Sequence, residues 1–154
     1  MNVKSKILFS TFVFVLLISS VASAWSGKCV GVHDGDTILV LHGGKAEIIR
    51  LYGIECPERG QPFGESAKQF TFYIVFGKIV EVNPVIKDRS GITIAWVYAN
   101  RISLNRELLR AGLARRYSND RDLAILEEEA RAKRIGLWGD PDPIPPWEWK
   151  RKKK

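Results

Sequence analysis

Through its first half the chain alternates apolar and polar residues in short runs, the signature of strands with one buried face. Residues 25–33 form the first run, with Val30 and Val32 in step, and Asp34-Gly35 breaks it. Thr37-Ile38-Leu39-Val40-Leu41 is a second strand, and His42-Gly43-Gly44-Lys45 supplies a hairpin turn. Residues 46–52 make a third, in which Ile49 and Leu51 flank Arg50. The opening is therefore a three-stranded meander. Residues 60–64 are a loop.

The spacing then changes. Ala67, Phe70 and Ile74 recur at helical intervals and predict a helix over residues 64–76, ended by Gly77. Residues 78–86 and 92–98 read as two more strands around the turn Asp88-Arg89-Ser90-Gly91. A short helix follows over residues 104–111, capped by Ser103 and stopped by Gly112. A last helix starts at Asn119 or Asp120 and runs to about residue 134, with Leu123, Leu126 and Ala130 on its apolar face. This order predicts an α+β domain: a five-stranded OB-fold β-barrel with three α-helices, a barrel type that commonly carries oligonucleotides on one face.

The ends fall outside that domain. Residues 1–24 have the form of a secretory signal peptide: Lys4 and Lys6, an apolar run over residues 7–18, then Ala22-Ser23-Ala24. That run is shorter than the roughly 20 residues of a spanning helix. We therefore expect cleavage, no stable membrane association afterwards, and a secreted or periplasmic product. Residues 25–140 form the folded domain. Residues 141–154 are a tail: Pro141 to Trp149, rich in proline and tryptophan, reads as an extended segment laid over the body, and Arg151-Lys152-Lys153-Lys154 ends it as a solvated run.

Charge and cysteine content narrow the picture further. The chain of 154 residues carries +7 at neutral pH, which suits a polyanion, an anionic surface or simple solubility. Cys29 and Cys56 are the two cysteines, and an oxidising compartment allows one disulfide between them, or two buried thiols. Their spacing does not suit zinc. No repeat interrupts the domain, and a monomer is expected.

Two acidic segments carry the chemistry. The first is Asp34-Gly35-Asp36-Thr37; the second is Arg50-Leu51-Tyr52-Gly53-Ile54-Glu55-Cys56-Pro57-Glu58. If the strand ends meet, Asp36 and Glu55 converge as oxygen ligands for a hard cation such as calcium. Asp34, before glycine, reads as turn chemistry. Glu58 is either a base for a water aimed at phosphorus or an ordinary surface glutamate. Arg50 either grips a phosphate with its planar fork or pairs with Glu55 or Asp36. Arg115, Arg116 and Tyr117 either contact nucleic acid or form a solvated helix end with one packed ring.

With these segments in order, the chain resembles the staphylococcal nuclease, or thermonuclease, family. The resemblance also rests on Val32-His33, on Phe63-Gly64-Glu65-Ser66-Ala67-Lys68, on Leu104-Asn105-Arg106-Glu107-Leu108-Leu109-Arg110-Ala111-Gly112-Leu113-Ala114 and on Gly136-Leu137-Trp138. It implies a calcium-dependent nuclease that cuts DNA and RNA with little sequence preference, leaving a 3′-phosphate and a 5′-hydroxyl; single strands are the expected preferred partner. It implies that Asp36, Glu55 and the main-chain carbonyl of Cys56 bind calcium, that Arg50 holds the scissile phosphate and that Glu58 is the general base.

The family pattern is broken at Asp88-Arg89-Ser90-Gly91-Ile92. Ile92 stands at the position of a second active-site arginine, and Ser90 at that of a phosphate-facing tyrosine. Arg89 is the nearest substitute cation. Glu55 stands where aspartate is usual. Two functions follow: a nuclease slowed by Ile92, or a catalytically impaired OB-fold module that binds single strands through basic and stacking residues such as Tyr117.

Overall fold

The computed structural model describes residues 23–152. The expected leader lies outside the described residues except for its last two positions, as do the last two lysines of the basic end.

Strands β1 (Trp25–Asp34), β2 (Thr37–His42) and β3 (Lys45–Leu51) form the antiparallel meander. Period-two patterning turns Ile38, Val40, Ile49 and Leu51 inward, and all four are fully buried. The register of β1 against β2 shifts twice, between Cys29 and Gly31 and between Val32 and Asp34. Each irregularity bends the strand and increases its twist, which a small barrel needs.

The next strand, β4 (Ile54–Glu55), is short. Helix α1 (Gly64–Val75) leads into β5 (Ile79–Lys87), which pairs antiparallel with β1 and with β6 (Thr93–Ala99). Pro84 sits beside a register shift in β5, where the ladder can spare its missing N–H. Strand β6 then runs parallel to β3, matching Ile49 to Thr93, Arg50 to Ile94 and Leu51 to Ala95. That pairing closes β1, β2, β3, β5 and β6 into a five-stranded mixed barrel, the expected OB-fold.

Strand β7 (Ile102–Ser103) leads into helix α2 (Leu104–Arg110). Ser103 caps α2 by accepting from the Arg106 amide. After β8 (Arg115–Arg116), Asp120 caps helix α3 (Arg121–Ala132) by accepting from Leu123. Leu104, Leu108, Leu109 and Leu123 join the barrel interior in one core. A 3-10 helix follows at Gly136–Gly139.

One expectation needs correction, and one open choice is decided. A fourth helix, α4 (Pro146–Lys152), replaces the outer part of the expected extended tail. The prolines cluster at residues 141–146, and Pro146 takes the first helical position, where its missing N–H and fixed φ are an advantage. Among the described residues of the tail, 141–145 lack regular structure. Cys29 and Cys56 are both buried and free, not bridged. The Cys29 thiol points to the carbonyl of Gly31 on its own strand (3.4 Å), whereas Cys56 Sγ packs beneath Gly35.

Gly35 is the tight point between barrel and helix. A Cβ there would lie 2.7 Å from Ala67 Cβ on α1 and 2.8 Å from Cys56 Sγ. Gly35→Ala therefore overpacks a buried contact. It should destabilise the fold by about 1–3 kcal/mol, read as a lower urea midpoint at unchanged slope.

Candidate active site

Asp36 sits at the entry to β2 and is only 8% exposed. Its two carboxylate oxygens are oriented separately. Oδ2 accepts from the Cys56 amide and Oδ1 from the Thr37 hydroxyl, both at 2.8 Å. Burial pushes the Asp36 carboxyl above the usual range, and the charge of Glu55 adds to that; the two hydrogen bonds and Arg50 oppose it. The Asp36 carbonyl also accepts from Leu51 N (2.9 Å). The start of β2 is thus tied to the end of β3 and to the segment beyond β4. From behind, the Thr71 hydroxyl of α1 donates to the Gly35 carbonyl (2.5 Å).

Glu55 is placed by a two-residue ribbon. β4 pairs with β8, setting Ile54 against Arg116 and Glu55 against Arg115. Gly53, at φ 77°, turns the chain there; a Cβ would meet Leu123 Cδ1 at 2.6 Å. Its carbonyl accepts from Tyr117 N (3.0 Å), which brings Tyr117 beside the acidic segment. The buried carboxylate of Glu127 anchors β8 through the Arg116 amide (3.1 Å) and is flanked by Arg131.

These constraints produce one cleft at the barrel end, lined by Asp36, Arg50, Ile54, Glu55, Ile94 and Tyr117. Arg50 is exposed on the outer side of β3, so its guanidinium faces the cleft mouth and not the core. Tyr117 is half exposed; burial pushes its hydroxyl above the usual range. Cys56 has its side chain in the core, where burial and then the surrounding carboxylates push the thiol well up. The thiol is consequently a poor ligand, and Cys56 can offer only main-chain atoms.

Glu58 lies just beyond. Its amide donates to Gln61 Oε1 (3.0 Å), and its carboxylate meets Lys150 of α4. Lys150 Nζ is 2.7 Å from Glu55 Oε1 and 2.9 Å from Glu58 Oε1. Burial would lower the Lys150 ammonium, but hydrogen bonds to the two glutamates outweigh it and raise it.

Other expected residues lie elsewhere. A second cleft, lined in part by His33, Thr37, Ile48, Arg50 and Ile92, shares Arg50 with the first. Arg89 is exposed on the β5–β6 turn and lines neither. Asp88 closes that turn by accepting from Ser90 N (2.8 Å) and Ile92 N (2.9 Å). Arg115 and Arg116 have structural partners. Arg115 stacks on Trp138, 4.6 Å from the ring centre, and donates to the Pro143 carbonyl; Arg116 donates to the Ser118 carbonyl.

Three positioning residues were not anticipated: Thr71, Lys150 and Asn105. Asn105 is fully buried on α2. Its Oδ1 accepts from Val97 N (3.1 Å), and its Nδ2 donates to Tyr52 O (2.9 Å) and Ala95 O (3.3 Å). It thereby pins the strand end that leads into Glu55. An asparagine within an otherwise apolar helical face is the signal that marks it in sequence. Nothing comparable marks Lys150, which is one lysine in a basic run.

The donor set suits a hard cation. Asp36 and Glu55 supply carboxylate oxygens to one cleft, and Glu55 already takes a cationic partner in Lys150. Among the described residues no group of three or more His, Cys, Asp or Glu forms a metal cage. Any metal there rests on two carboxylates completed by main-chain oxygen and water, a set that calcium, with six to eight oxygen ligands, accepts.

Fold and cleft together define an OB-fold domain with an acidic and cationic centre at one barrel end. Residues 48–140 match the family described as staphylococcal nuclease homologue, and the chain belongs to that family. It is 40% identical over 131 residues to an uncharacterised endonuclease of Escherichia coli O157:H7, covering 82% of this chain and 86% of the relative. It is 36% identical over 157 residues to a micrococcal nuclease of Shigella flexneri, covering 91% and 90%. A staphylococcal-like nuclease of Arabidopsis thaliana is 38% identical over 109 residues, 69% of this chain and 34% of that protein.

Replacing Asn105 with alanine strands the Val97 amide and the Tyr52 carbonyl. Each unsatisfied buried group costs about 1–3 kcal/mol. Asn105→Ala should therefore lower the urea midpoint by more than Gly35→Ala does.

Proposed function

We propose that this chain is an exported, calcium-dependent nuclease that hydrolyses phosphodiester bonds of DNA and RNA, single strands in preference to duplex. The observation that carries this reading is the meeting of Asp36, Glu55 and Arg50 in one cleft. Family membership supports the reaction class, and the sequence of residues 1–24 supports export.

Asp36, Glu55 and the Cys56 main-chain carbonyl would hold calcium, which when bound polarises the phosphate. Arg50, exposed at the cleft mouth, binds two phosphate oxygens through its fork. Glu58 takes a proton from water as the water oxygen bonds to phosphorus. The bond to the 5′-oxygen breaks, that oxygen gains a proton, and the phosphate stays on the 3′ side. Tyr117 offers a half-exposed ring for a neighbouring base or sugar. The net positive charge draws the polyanion in.

Ile92 tempers the rate. It lines the cleft next to Arg50 with an apolar side chain where a second cation would oppose the charge that builds on phosphorus. One missing donor of this kind costs about 10²–10³ in rate.

Denatured DNA and RNA incubated with the protein should be cut in calcium and left intact with a chelator. Intact substrate in calcium at high protein concentration, together with a mobility shift showing complex formation, would establish the binding module instead. Glu58→Gln should slow cleavage by about 10²–10⁴, and Ile92→Arg should raise it above the parent. A Glu58→Gln protein as fast as the parent removes Glu58 from the mechanism.

A further inference from the structure

The chain's own C-terminal segment reaches the edge of the acidic cleft, where Lys150 of α4 meets Glu55. Residues 141–145 follow the 3-10 helix and, through Pro143 and Ile144, form one wall of an apolar pocket that Pro57, Phe63 and Leu137 also line. Two side chains fasten the crossing. Gln61 Nε2 donates to the Ile144 carbonyl at 2.6 Å, and Arg115 donates to that of Pro143. Pro146 is buried, and α4 starts there, with the amides of Glu148 and Trp149 both 3.0 Å from the Pro145 carbonyl. Lys150, one turn on, is thus carried by an anchored element.

We propose that α4 is a tethered cationic gate, with the Lys150 ammonium holding Glu55 and Glu58 and competing with the divalent cation for them. The inference rests on the calcium reading above. The ammonium lies 2.7 Å and 2.9 Å from one oxygen of each glutamate. It therefore occupies an oxygen of the expected metal ligand and of the expected base at once. An oxygen that accepts from the ammonium must give up that contact before it can take a proton from water.

Tethering makes the competition effective. An ammonium fixed to an anchored helix acts at an effective concentration that free amines in solution do not reach. The pair remains reversible. The side chains of Lys150, Glu55 and Glu58 keep 41%, 23% and 31% of their accessible surface, so water can replace either contact. Entry of a divalent cation would release Lys150 and free Glu58 for proton transfer.

Calorimetric titration of the full chain with calcium tests this, alongside Lys150→Met and Lys152→Ala. Lys152 lies on the same helix and is exposed, so its loss controls for net charge. If the gate is closed in about nine-tenths of molecules, removing it tightens apparent calcium affinity about tenfold. Lys150→Met should show that gain, and Lys152→Ala should bind as the parent does. Calcium should also speed amide exchange over residues 146–152 in the parent.

Equal affinity in the parent and Lys150→Met overturns the gate while leaving the calcium site standing. Equal tightening in both variants reduces the effect to net charge and overturns it too. Absence of calcium binding in the parent and in Lys150→Met overturns both the gate and the calcium site. Binding by Lys150→Met with weak binding by the parent supports both.

Discussion

A buried hydrogen bond, from the Cys56 amide to the Asp36 carboxylate, ties the first acidic segment to the far end of the second. The β2–β3 ladder pairs Thr37 with Arg50, and the Asp36 carbonyl accepts from Leu51 N, but neither contact reaches past β3 to the Cys56 end of the second segment. The bond needs Asp36 close against the Cys56 backbone, and Gly35 makes that approach sterically possible. It draws a carboxylate into a site where its charge is costly to bury. Asp36, Thr37 and Cys56 are thereby committed to one geometry, and the cleft inherits it.

The barrel and helices α1, α2 and α3 were legible because their cues are local. Alternating Ile38, Val40, Ile49 and Leu51 marks strands wherever they pack. Ser103 and Asp120 act as helix caps in the expected way. The tail was not legible in full. Its prolines suggested an extended path, and only the position of Pro146 relative to Trp147-Glu148-Trp149 shows where helix begins. The cysteine pairing depends on where two side chains point after folding, which spacing along the chain does not encode.

Within the cleft, the residue types were readable but their partners were not. Asp36, Arg50 and Glu55 stand out by their position around glycine turns and strand ends. Asn105 and Thr71 act through main-chain groups on distant elements, so their contribution exists only once the fold brings those elements together. Lys150 meets Glu55 across 95 positions of sequence. Likewise, Arg115 and Arg116 look like nucleic-acid contacts in a linear reading, yet Trp138, Pro143 and Ser118 take up their guanidinium groups.

The parallel pairing of β3 with β6 has a kinetic consequence. Parallel neighbours cannot be joined by a tight turn, and here residues 52–92, which include α1 and β5, separate the two edges. Closing so long an excursion spends chain entropy before contacts repay it, and such non-local pairings slow folding. The meander β1–β3 can assemble early on local turns alone. Arg50 and Leu51, the β3 residues matched to Ile94 and Ala95, therefore acquire their final neighbours only in a late step of folding. A chain caught before that step would carry all the residues of the cleft and still lack the cleft.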